Sequence, residues 1–594
     1  MGLSRRALLR ATFAAAGAAA VASSSFVRQV GQAAVAAVAR STTRSTYVRG
    51  PAGPGGYTPI VVGPGQPRVV RTDLGAMPDP ARVGCRQPLV SFAHLSDIHI
   101  IDHQSPMRVE WTDRYDDPSE LGDIGPGLFS SAHRPQEILS AQVADAMVHA
   151  INNARVGPVT GQPLSFAIET GDNSDNGQFN EIRWNIDVLD GERVHPDSGN
   201  PSVYEGVMAT EPLNYDTHYW HPHGTPKKTL LRTFADDIAR SKYGFPTIPG
   251  LLDAARRPFQ ARGLDMEWYS VFGNHDGLAQ GNFPHTMKLT LIATGPLKLI
   301  SPPAGVSQSD VVDAVVSGNL PELLSRVVVL PLARLVTPDL NRRLLTRKQI
   351  VDEHFTTSGL PAGHGFTPEN RAQGTAYYTF DKGDVRCVVL DTVNPNGYAD
   401  GSLDPAQFAW LQETVAATTD KAVIVFSHHT SGSMNNPFVA TGGDLGLPRV
   451  LGDAVVDYLL TQPQVVAWFN GHTHRNEIWS HTRGDGSGGF WEINTASHID
   501  FPQQARLVEI VDNTDGTMSI FTTLLDHAGP ASYDGDLGST LSLAGLSREI
   551  SANDWQSRTK GYEGVPEDGN VELLVQTPAT LAGAACRGQS AAVS

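Results

Sequence analysis

The sequence predicts a layered α/β fold interrupted by two long insertions, and three observations carry that expectation. Short apolar runs of strand length, rich in β-branched and aromatic residues, recur at 89–95, 164–168, 269–272, 385–390, 422–426 and 465–469. The segment 135–154 spaces Ile138, Val143, Met147 and Ile151 as a helix would, and joins the first two runs into a strand–helix–strand unit. Polar side chains able to bind a cation stand just past the ends of several runs, the edge at which α/β folds place their chemistry.

Taken in order, residues 1–39 read as a twin-arginine signal peptide. Ser4-Arg5-Arg6-Ala7-Leu8-Leu9-Arg10 precedes an Ala-rich run to Val27 that is weak for a stable membrane span. Export by the twin-arginine translocation machinery would place the folded protein outside the cell or in its envelope. Residues 40–88 form a Gly/Pro-rich N-terminal extension, centred on Pro51-Ala52-Gly53-Pro54-Gly55-Gly56, expected to act as a tether or a strap across the surface. The main domain covers 89–530, with insertions at 177–268 and 277–380 that should rim the site and select its substrate. Within the second, 322–330 is a helical candidate that Pro331 would stop. After the last apolar run, 489–494, 505–511 and 517–524 read as antiparallel strands of a second sheet. Residues 531–594 are a C-terminal extension with one helix over 541–555.

Net charge is −17 across 594 residues, a poor balance for holding nucleic acid by phosphate neutralisation, so no nucleic-acid partner is expected. A locally cationic centre within this acidic chain still suits a small anionic substrate. Three cysteines are too few for a disulfide scaffold. Cys387 lies in a strand and reads as a core residue, whereas Cys85 and Cys586, near the ends of the exported chain, could pair in an oxidising exterior.

Five segments carry the chemistry: Asp97-Ile98-His99, Gly171-Asp172-Asn173, Gly273-Asn274-His275-Asp276, Ser427-His428-His429 and Gly471-His472-Thr473-His474. In an extended backbone residues two apart face one side, which would turn Asp97 with His99, and His472 with His474, towards one site. The glycines before Asp172 and Asn274 allow close backbone approach. Asp172 can bridge two cations through its carboxylate, and Asn274 offers a neutral carbonyl oxygen. His275 would face the substrate, with Asp276 orienting it. Gly484 to Gly489 matches a glycine-rich nucleotide pattern but falls between two late strands and reads as a hairpin turn. His221-Pro222-His223 sits in an insertion and reads as surface loop.

In order and chemistry the five segments resemble the calcineurin-like metallophosphoesterase superfamily, over roughly 89–525. The leader, Gln104-Ser105-Pro106 and Asn494-Thr495-Ala496-Ser497 are similar to a secreted actinobacterial subgroup. The resemblance implies a four-layer α/β/β/α sandwich of two mixed sheets and a centre for two divalent ions. One ion would lie on Asp97, His99, Asp172 and His474; the other would lie on Asp172, Asn274, His428 and His472, with His429 behind them. Mn, Fe, Zn and Co suit this donor set about equally. The implied reaction is phosphoester hydrolysis, in which a metal-bridging hydroxide attacks phosphorus and His275 protonates the leaving oxygen. Two ions, two carboxylates and a hydroxide leave roughly one net positive charge for a phosphoryl group. Purple acid phosphatases carry a tyrosine where this chain has Asp175 and lack the histidine at His99, so the pattern is closer to phosphodiesterase-like relatives. A phosphomonoesterase, an envelope enzyme for sugar- or lipid-linked phosphoesters, and a non-catalytic metal-containing binding protein are the alternatives. Oligomeric state is not encoded.

Overall fold

The computed structural model describes residues 41–115, 131–302, 306–307, 309–311, 333–440 and 447–581. The expected export signal, the helical candidate at 322–330 and Cys586 lie outside them. In chain order the main strands are β1 (Val69–Arg71), β2 (Gln87–Leu95), β3 (Phe166–Glu169), β4 (Trp268–Ser270), β5 (Tyr378–Lys382), β6 (Val385–Val389) and β7 (Ala422–Phe426). They continue as β8 (Val465–Asn470), β9 (Glu477–Thr482), β10 (Gly489–Asn494), β11 (Gln504–Asp512), β12 (Thr517–Asp526) and β13 (Val571–Gln576). Seven form one sheet in the order β1-β13-β12-β11-β2-β3-β4, and six form a second in the order β5-β6-β7-β8-β10-β9. Both sheets are mixed. β2, β3 and β4 run parallel, as do β6, β7, β8 and β10, while β11 pairs antiparallel with β2.

Period-2 alternation explains why the sheets stack. On β6 and β7, Cys387, Val389, Ile424 and Phe426 point into a core shared with Phe92, Ala93 and Phe166 of the first sheet. Phe92 meets Phe426 and Phe469 edge-on at 5.7 and 5.3 Å between ring centroids, across the two sheets. Val388, Val423 and Val425 point the other way, onto Leu411 and Val415 of α4 (Pro405–Ala417) and Val455 and Leu459 of α5 (Gly452–Leu460). Helix α4 starts cleanly because Pro405 takes its first position and the Asp404 carboxylate accepts from Gln407 N. Against the first sheet lie α1 (Ser140–Ala154) and α2 (Phe179–Asp190), with α3 (Arg347–His354) packed on α2 and α6 (Thr540–Asn553) packed on α1. The result is the helix–sheet–sheet–helix layering that the family resemblance implies.

The flanking regions are more integrated than their composition suggests. Residues 45–49 and 60–64 form a hairpin, Thr42 N donates to Leu524 O, and β1 extends the sheet edge beside β13. The tail after 530 supplies both α6 and β13. Leu543, Leu546 and Ile550 of α6 bury against Tyr204, Trp220 and Phe245, giving the first insertion a core of its own. That insertion also begins with α2, whose Ile182, Ile186 and Leu189 belong to the central core rather than to a rim. Cys387 is buried and free, and Cys85 is disulfide-bonded. The glycine-rich segment after Thr482 is the turn joining β9 to β10. His221 corrects the expectation of a surface loop. It is fully buried, with Nδ1 3.0 Å from Met208 O and Nε2 2.8 Å from Asp216 O, and only His223 of the pair is exposed.

Candidate metal centre

The loops that follow β2, β3, β7 and β8 meet at one edge because the strand ladders continue as loop-to-loop bonds. Asp97 N donates to Gly171 O, His99 N to Asp172 O, and Gly471 N to His428 O. The turn after β4 then closes over them. Gly171 and Gly273 lie back to back: a β-carbon on Gly171 would sit 2.8 Å from Gly273 Cα, and one on Gly273 would sit 2.1 Å from Asp172 N. These glycines are where the backbone has no room for a side chain, as the sequence pattern implied.

The two D-x-H and H-x-H pairs do converge, but not through extended backbone. Asp97, His99, Asp172, His472 and His474 all have left-handed φ, between 48° and 71°. Such conformations cost about 1–3 kcal/mol each in ordinary residues and collect at functional sites. Alternation along a strand therefore does not account for either pair. Successive left-handed kinks, with Ile98 buried between two of them, aim the side chains inward.

Two overlapping groups of donor atoms result. In one, His474 Nε2 lies 3.4 Å from Asp97 Oδ1 and 3.3 Å from His99 Nε2, which is 3.7 Å from Asp172 Oδ2. In the other, His428 Nε2 lies 3.2 Å from the same Asp172 Oδ2, 2.8 Å from Asn274 Oδ1 and 3.2 Å from His472 Nδ1. Donors about 2.0–2.2 Å from a shared cation are separated by about 3 Å or slightly more, so this spacing fits ions. Asp172 Oδ2 stands between the groups, while its Oδ1 accepts from His275 N at 2.8 Å.

The second nitrogen of each of the four histidines is turned to a protein acceptor. His428 Nδ1 is 2.8 Å from Thr170 O, His474 Nδ1 2.6 Å from Asp500, His99 Nδ1 3.3 Å from Asp175, and His472 Nε2 3.8 Å from Asp400. This is how metal-binding imidazoles are oriented, with the inward nitrogen left free for a cation. Asn274 is set the same way: its amide nitrogen donates to Gly281 O, which turns Oδ1 inward. Asp175 and Asp500 are compensated by buried guanidinium groups. Arg108 pairs with Asp175 and Glu137, and Arg134 donates to Asp500 Oδ1 at 3.0 Å. Among the described residues Asp97 and Asp172 have no such guanidinium partner, only histidines. Burial alone would lower the pKa of His428, yet Asp172 and Asp97 raise it to about 9, and a field that holds a proton there would hold a metal cation. For His99 burial wins over the neighbouring Asp175 and Asp172 and, with the charges of His275 and His474, pushes it down to about 4.

His275 sits at the open side, its side chain 22% exposed against 2% or less for Asp172 and His428. Its Nδ1 lies 2.9 Å from Asp175 O and 3.4 Å from Asp175 Oδ1. Burial again opposes the charged form, but Asp172 and Asp175 outweigh it and raise His275 to about 9. Asp175, not Asp276, is thus the carboxylate beside this imidazole. Residues 274–277 make a single helical turn, so neighbouring side chains diverge, and Asp276 points back. It accepts from Asn173 N, Ser174 N, Ser174 Oγ and Gly273 N, pinning the Asp172 loop to the Asn274 turn. His429 offers a nitrogen within 4.8 Å of those of His428 and His472, but both of its ring nitrogens are engaged, by Thr392 Oγ1 and Ala399 O. Asp500, Arg134 and Asp400 carry no motif; Asp175, three residues after Asp172, is visible in the sequence as a position but not as a partner.

Residues 250–476 match the family model of the calcineurin-like phosphoesterases. The match takes in Asn274, His428, His472 and His474, while Asp97, His99 and Asp172 precede it. No curated protein sequence matches the chain significantly. Among solved structures, a dimetal phosphatase from Danio rerio aligns with 74% of this chain and 100% of its own, at 12% identity and a TM-score of 0.31, too low an overall likeness to transfer any residue. Over residues 250–476 the chain is thus similar to the calcineurin-like phosphoesterases, and its two stacked mixed sheets bring five histidine- and carboxylate-bearing loops to one edge.

Proposed function

We propose that this centre binds two divalent ions and hydrolyses phosphodiesters in preference to monoesters. The observation that carries the reading is the pair of donor groups sharing Asp172 Oδ2, with neighbouring donor atoms 2.8–3.7 Å apart. Asp97, His99, Asp172 and His474 would hold one ion, and Asp172, Asn274, His428 and His472 the other. Ions in these positions supply acidified water and neutralise charge on a phosphoryl oxygen.

The chain's own groups do the rest. His275 donates Nδ1–H to Asp175 O, which leaves Nε2 to carry the proton that a departing alkoxide needs. Arg108 keeps Asp175 ionised and in place. Asp400, 46% exposed beside His472 at the open side, disfavours an added negative charge. A monoester dianion carries one more such charge than a diester, and the nearby Arg108 and Arg134 are already committed to Asp175, Glu137 and Asp500. Export by the twin-arginine pathway, with metals loaded before translocation, is part of the same proposal and rests on the leader sequence; among the described residues no helix is long and apolar enough to cross a membrane.

The test is hydrolysis of bis(p-nitrophenyl) phosphate and p-nitrophenyl phosphate by protein stripped with chelator and then reloaded with Mn, Fe, Zn or Co. Diester turnover should vanish on stripping, return on reloading, and exceed monoester turnover. Asp400→Asn should raise the monoester rate relative to the diester rate. Hydrolysis that survives complete chelation would defeat the metal assignment, and a monoester preference unmoved by Asp400→Asn would defeat the selectivity.

A further inference from the structure

Far from the ligand loops in sequence, the first insertion carries a turn whose residue choice has no conformational reason. Thr229 N donates to Arg232 O at 2.9 Å, and Arg232 N donates back to Thr229 Oγ1 at 3.0 Å, closing a tight turn. The two residues at its apex are Leu230 and Leu231, 104% and 99% exposed. Turn apices ordinarily take Gly, Asn, Asp, Pro or Ser. Two fully solvated leucines there add unfavourable hydration and no local benefit. Leu213, 75% exposed, belongs to the neighbouring segment, because Arg232 Nη1 reaches Pro212 O at 3.4 Å.

The turn is held rather than loose. Arg232 stacks on the Phe234 ring at 4.6 Å, and Phe234 packs edge-on against Tyr215, whose hydroxyl donates to Ala235 O. Around the apex the charge is positive. Lys227, Lys228 and Arg232 are exposed, and the acids nearby are already paired: Asp236 with Arg240 and Thr225, and Glu211 with Arg334. In a chain of net charge −17 this is a local reversal of sign.

We propose that the turn 226–232, with Leu213, is a docking surface for an anionic lipid bilayer, in which Leu230 and Leu231 insert between headgroups while Lys227, Lys228 and Arg232 meet lipid phosphates. Exposed leucines ringed by cations match the layered chemistry of a bilayer surface, apolar below and anionic above. A buried protein interface would instead deplete lysine at its centre. Docking of this kind would hold the hydrolase at a membrane without a spanning segment.

The experiment is co-sedimentation of the full protein with vesicles of phosphatidylcholine alone and of phosphatidylcholine mixed with phosphatidylglycerol, at low and high salt. Wild-type protein should pellet with the mixed vesicles, and less so at high salt. The double variants Leu230→Asp/Leu231→Asp and Lys227→Glu/Lys228→Glu should each bind at least about tenfold more weakly, with unchanged circular dichroism and melting temperature. Wild-type protein left in the supernatant, or leucine variants that pellet as well as wild type, would overturn the proposal. So would a dimer in sedimentation velocity that the leucine variants abolish, since the surface would then serve a second copy of the chain. Should the leucine variants melt early, the lysine variant and single Leu231→Ser decide on the same criteria.

Discussion

Gly273→Ala removes no donor atom, yet it should empty the centre. The backbone at Gly273 has φ −106° and ψ 169°, ordinary extended values, so alanine is not excluded by conformation. What excludes it is space. Its methyl would lie 2.1 Å from Asp172 N and 2.3 Å from Asp172 Oδ1, where about 3.4 Å is the normal approach of non-bonded atoms. Relief needs about 1 Å of separation between the Asp172 loop and the Asn274 turn, the two segments that meet at the shared carboxylate. Overpacking of this kind costs about 1–3 kcal/mol of stability, which a domain of this size tolerates. A displacement near 1 Å between catalytic groups costs on the order of a hundredfold in rate. The assay is elemental analysis of purified protein together with diester turnover and thermal melting, with Gly484→Ala as the control, since a β-carbon there meets nothing within 4 Å. The expected result is a folded Gly273→Ala protein depleted of metal and at least about a hundredfold slower, beside a control like wild type. Full metal content and full rate in Gly273→Ala would refute the packing argument.

Three further outcomes follow from individual contacts. If His275 acts as the proposed proton donor and not as a ligand, His275→Asn should lower diester turnover by about two to four orders of magnitude while elemental analysis still finds the metals. Asp500→Asn, which weakens the acceptor behind His474 without touching the donor group, should reduce metal affinity about 10- to 100-fold in a chelator competition. Glu169 gives a pH test away from the ligands: burial pushes it up to about 8 from a free value near 4.5, and it accepts from Ser270 and Asn185. The folded state then holds a proton that the unfolded state releases, so stability from this group falls as pH rises from about 4.5 to 8. Glu169→Gln should flatten that decline, read as urea midpoints at pH 5 and pH 8; an unchanged difference between the two pH values would contradict it.

Much of the framework is legible in the sequence because burial leaves a regular mark. The runs at 385–390 and 422–426 are strands whose two faces meet different cores, and continuous apolar sequence is what such strands require. The ends of such runs are enough to locate Asp97, Asp172, Asn274 and His428. Local geometry is less legible. Treating Asp97 and His99 as alternate residues of a strand reaches the right convergence by the wrong backbone, since left-handed φ at aspartate and histidine leaves no compositional trace. Adjacency suggests Asp276 as the partner of His275, whereas a helical turn separates neighbouring side chains and hands the contact to Asp175. The pairing of Asp500 with Arg134 spans 366 residues and leaves no local pattern. The tail reads as an extension since β13 is a single isolated run, too short to announce which sheet it joins.

The most direct test is an anomalous difference map from crystals of metal-loaded protein. Two peaks should flank the Asp172 carboxylate, one among Asp97, His99 and His474 and the other among Asn274, His428 and His472. A single peak, or metal bound only away from these side chains, would contradict the account.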